Sequence, residues 1–131
     1  MRTQLFLLAI PAIAAITPPA FGEAFGPIHV AANRGHYVGH CPVEIVFTGD
    51  IDFVLPHPKG FVFNYHWERS DGAKGAVKVV RPGPNERRLV IHDKWRLGAH
   101  AQAHDVAATL VVNSGNTHLS ETSPTVHIEC R

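Results

Sequence analysis

Apolar residues recur at every second position in short segments closed by Gly, Pro, Asn or Asp, and no stretch beyond residue 22 carries a sustained helical stripe. A segment with that period exposes one apolar face, which only stacking against another pleated layer buries, so the pattern restricts the chain to an all-β fold. The clearest segment has Phe61, Phe63, Tyr65 and Trp67 on one face and Asn64, His66 and Glu68 on the other. Cys41, Val43, Ile45 and Phe47 alternate in the same way, as do Val106, Ala108, Leu110 and Val112, and then Val126, Ile128 and Cys130. Ile28 and Val30 mark a first short strand before the Asn33-Arg34-Gly35 turn signal, and Ala76 to Val80 another. Leu89 and Ile91 run on towards Trp95 and Leu97, where the polar Asp93-Lys94 pair predicts a bulge that shifts the alternation. The total predicted is seven strands.

The amino terminus predicts export. Met1 and Arg2 precede an apolar run, Leu5 to Ile16, that is too short to span a bilayer, and small residues at Ala20 and Gly22 suit cleavage after Gly22. The expected division is a signal peptide at 1–22 and one mature domain at 23–131, secreted or periplasmic, with no integral membrane association. Cys41 and Cys130 are the two cysteines, and an oxidising destination makes a disulfide between them the default. A reactive thiol or a thiolate metal ligand would call for a CxxC pair or an activating neighbour, and neither occurs.

Charge excludes some partners. The chain has 12 Lys and Arg against 11 Asp and Glu, and removal of Arg2 leaves the mature domain balanced. Nucleic-acid binding needs a basic excess to neutralise phosphates, so no nucleic acid is expected. Arg87, Arg88, Lys94 and Arg96 form the densest basic cluster, interleaved with Glu86 and Asp93 as on a solvated strand face. No catalytic residue is assigned, because the serines lie in turns or at strand edges without a GxSxG elbow. No cofactor is expected either, since phosphate-loop, dinucleotide and HExxH patterns are absent. Asp50 and Asp52 share one strand face, which reads most simply as a solvated strand end.

Several motifs follow one another along the chain: Cys41-Pro42, Phe47-Thr48-Gly49-Asp50-Ile51, Tyr65-His66-Trp67-Glu68-Arg69-Ser70-Asp71-Gly72, Trp95-Arg96-Leu97-Gly98 and the closing Cys130. Together they resemble immunoglobulin-like or fibronectin type III-like domains of secreted bacterial proteins. The resemblance covers nearly the whole mature chain and implies a seven-stranded antiparallel β-sandwich stapled by one disulfide. It departs from the antibody pattern in that the cysteines do not bracket Trp67 and no Tyr opens the sixth strand. Fold likeness implies architecture and leaves activity open.

The expected function is a non-enzymatic binding or interaction module, presenting edges, faces or loops to a protein or glycan partner. Ten histidines supply the alternative. It is an extracytoplasmic zinc- or copper-binding protein using His36, His40, His100 and His104 of the loops, because imidazole suits both metals.

Overall fold

The computed structural model describes residues 24–98 and 103–131. The expected signal peptide, its cleavage after Gly22 and His100 lie outside them. Ten strands follow in order: β1 Phe25–Ala32, β2 His36–Gly39, β3 Val43–Phe53, β4 Phe63–Arg69, β5 Lys78–Val80, β6 Arg88–Leu97, β7 Ala103–Val106, β8 Ala108–Ser114, β9 Thr117–Thr122 and β10 Val126–Cys130. They form three sheets, ordered β1-β3-β6, β2-β10-β7 and β5-β4-β8-β9.

The expected count of seven, all antiparallel, is corrected on two points. β2 pairs with β10 in parallel, with His36 opposite His127 and Gly39 opposite Cys130. The extra strands come from polar segments and from interruptions. β2 and β9 bury little besides Tyr37 and Leu119, so their apolar alternation is too thin to read. The run from Val106 to Val112 is split at Ala107, whose backbone pairs with Ser70: the Ser70 N–H donates to the Ala107 carbonyl at 3.0 Å and the Ala107 N–H to Ser70 Oγ at 3.1 Å.

The predicted bulge in β6 is absent. β3 and β6 stay in unbroken register from Val43 opposite Leu97 to Asp52 opposite Arg88. Leu89, Ile91, Asp93, Trp95 and Leu97 all take the less exposed positions of β6, so Asp93 keeps the alternation and occupies an inward place in an otherwise apolar series. What makes this tolerable is a partner from another sheet, since a half-buried carboxylate is stable where it is paired and hydrogen-bonded. Arg69, at the end of β4, donates to Asp93 through Nε at 3.2 Å and Nη2 at 3.1 Å, and Nη2 also reaches the Lys94 carbonyl at 3.1 Å. Its guanidinium lies 5.1 Å from the centre of the Trp95 ring.

One core serves all three sheets. Ile45, Phe47, Ile51, Leu110, Val112, Val126 and Ile128 are 0% exposed, and each such side chain is worth about 1.5–3 kcal/mol of burial. The four aromatic residues of the clearest segment, Phe61, Phe63, Tyr65 and Trp67, are buried as expected. Gly49 of β3 lies so near the facing strands that a Cβ there would stand 2.8 Å from Leu110 and 3.1 Å from Trp67. This close approach of β3 to β4 and β8 is compatible with a β-sandwich. At one end of β3, Phe53 packs with Phe25, Phe61 and Phe63 at centroid distances of 5.6 to 6.3 Å. At the other end Cys41 and Cys130 form the expected disulfide, with 5.5 Å between their Cα atoms.

Candidate functional site

Polar groups gather in the turn after β4, the RSDG part of the motif. Asp71 Oδ1 accepts the Ala73 N–H at 2.9 Å, the Gly72 N–H donates to the Arg69 carbonyl at 2.9 Å, and Gly72 has φ +94°, which a residue without a Cβ adopts freely. With Arg69 engaged by Asp93 and Ser70 by Ala107, each residue of the turn has a structural partner. Beside it opens a cleft of about 250 Å³ lined by Ser70, Asp71, Trp95, Leu97, His104, Asp105 and Val106. His104 Nδ1 is buried there without a hydrogen-bond partner.

The described histidines scatter across both surfaces of the sheets. His36 opens β2 on its outward side, whereas His104 sits on the inward side of β7, flanking the cleft. His40 follows β2, and its carbonyl accepts the Tyr37 hydroxyl at 2.6 Å. The three described members of the expected metal set therefore do not converge, because strand alternation sends His36 and His104 to opposite faces. Among the described residues no group of three or more His, Cys, Asp or Glu side chains could hold a metal ion. His57 is instead packed into the aromatic cluster, stacked 5.4 Å from Phe61, with both ring nitrogens buried and without a hydrogen-bond partner.

Sequence reasoning missed a row of residues that only strand register reveals. On the outward face of the β2-β10-β7 sheet, His127 of β10 lies opposite His36 on one side and Asp105 on the other. The His127 and His36 rings stack at 5.2 Å, and His127 Nδ1 lies 2.6 Å from Asp105 Oδ1. Reading it from sequence would require knowing that β2 exists and runs parallel to β10.

A few of the remaining charges are paired along strand faces. Asp52 accepts from Arg88 Nε at 2.6 Å, and that hydrogen bond holds its carboxyl below the usual carboxylate range while raising the guanidinium. Glu68 is lowered by its hydrogen bond from His66. Tyr65 is raised by burial. Arg88, Lys94 and Arg96 are exposed on the outward face of β6, as expected for a solvated strand. Among the described residues no helix is long and apolar enough to cross a membrane. A comparison with protein-family models found no match, and a comparison with curated proteins found none either.

Proposed function

We propose that the chain is an exported, non-enzymatic module with an immunoglobulin-like sandwich, which acts by presenting its outward faces and sheet edges to a protein or glycan partner. On this reading residues 1–22 direct export and residues 23–131 are the working domain. The observation that carries it is the use of the motif residues: Arg69, Ser70, Asp71, Gly49 and Trp67 are taken up by contacts inside the fold or its turns. Function is then left to the surface, where Val77 is 62%, Val79 69% and Val90 49% exposed at the margins of two sheets. The sheet orders support the immunoglobulin-like reading. β1-β3-β6 corresponds to the first, second and fifth strands of such a domain, and β5-β4-β8-β9 to the other layer with one added edge strand. The disulfide departs from the antibody arrangement, since it joins the entry to β3 with the end of β10.

The test is chromatography of cell-envelope protein and glycan fractions over the immobilised, oxidised chain. A saturable partner is expected, with binding weakened at least tenfold by Val77→Lys with Val79→Lys or by Val90→Lys. Retention indifferent to all of these surface changes, or turnover of peptide, ester or glycosidic substrates, would overturn the reading.

A further inference from the structure

The row Asp105, His127, His36 crosses three adjacent strands on the outward face of the β2-β10-β7 sheet. We propose that it is a binding site for a divalent zinc or copper ion, with His127 and His36 as the ligands and Asp105 as the residue that positions His127. The proposal is independent of the reading of the chain as an interaction module.

The geometry gives each residue its role. A carboxylate only accepts hydrogen bonds, so the 2.6 Å contact places a proton on His127 Nδ1, and in the neutral ring this leaves the Nε2 lone pair free. Metal-bound histidines typically donate their second ring nitrogen in this way, which fixes the ring and makes the ligating nitrogen more basic. His36 stands directly across the parallel ladder, its ring 5.2 Å from that of His127 and inclined by only 29°. It is exposed, and among the described residues its ring has no hydrogen-bond partner, so rotation of one side chain brings both imidazoles onto a single ion. Glu129 stands two residues along on the same face of β10. Imidazole selects zinc and copper over magnesium or calcium. The site is an open pair of imidazoles completed by water, which agrees with the absence of a preassembled three-donor group among the described residues. It takes only His36 from the loop set expected from sequence.

An ion held there would also tie β2 to β10, and β2 has no other strand partner in its sheet. Binding to the folded state alone would therefore raise the melting temperature as metal is added.

The experiment is isothermal titration of zinc chloride, and separately of a copper(II)–glycine complex, into the untagged oxidised chain, with thermal melts in parallel. One ion per chain is expected. His127→Gln and His36→Ala should abolish the isotherm and the metal-induced rise in melting temperature, and Asp105→Asn should weaken affinity by about tenfold or more. His118→Ala, whose ring bonds Asn113 on another sheet, should leave binding unchanged. These surface variants should melt like the unaltered chain without metal. No saturable binding, binding that survives His127→Gln, or an Asp105→Asn variant as tight as the unaltered chain would each overturn the proposal.

Discussion

A Cβ on Gly98 would stand 2.5 Å from Cys130 Sγ and 2.7 Å from Cys41 Sγ, and the residue has φ +85°. The terminal glycine of the Trp95-Arg96-Leu97-Gly98 motif is thus required twice, by its backbone and by the sulfur atoms against it. Gly98→Ala should lower the free energy of unfolding by about 2 kcal/mol, read as a lower urea midpoint at unchanged slope. Asp52 and Arg88 give a second prediction. Because the hydrogen bond lowers the folded carboxyl below its unfolded value, its contribution is present above about pH 4 and is lost as pH falls through the folded value. Thermal melts of Arg88→Gln and the unaltered chain should therefore differ above pH 4 and converge in stronger acid; a constant gap would show that Arg88 acts otherwise. At this scale the motifs were visible in sequence, but the reason for their glycines was not, since it lies in atoms brought close by distant strands.

Between elements, Arg69 joins the end of β4 to Asp93 of β6, in a pair whose side chains are 29% and 16% exposed. Removing the arginine leaves an inward carboxylate uncompensated. Arg69→Met should cost about 2 kcal/mol, less than the 3–5 kcal/mol of a fully buried pair because water reaches both groups. Adding Asp93→Leu should recover much of the loss, which chemical denaturation of both variants would show. The strands with strong alternation were legible, and the inward sets of β3, β4, β8 and β10 fall where sequence placed them. Asp93 misled because a lone polar residue in an apolar series resembles a shift of register, when its partner is 24 residues away. β2, β7 and β9 were not separable because their limits are set by neighbouring strands and by Ser70 rather than by their own composition.

For the whole molecule, the disulfide closes a loop of 89 residues. The chain-entropy relation assigns such a closure about 4–5 kcal/mol, comparable to the total stability of a small domain. Cys41→Ser with Cys130→Ser should accordingly lower stability by that order, and a loss below about 1 kcal/mol would show that the sheets hold without the clasp. The staple was readable from two cysteines and the predicted export. The candidate metal row was not, because Asp105, His127 and His36 meet only after the parallel pairing forms. That the motif residues meet inside one core is tested most directly by nuclear Overhauser contacts in the oxidised chain. Strong contacts from Gly49 Hα to the Leu110 methyls and the Trp67 indole are predicted by their closeness across the core. Their absence, with the Gly49 amide exchanging as fast as an exposed loop, would contradict it.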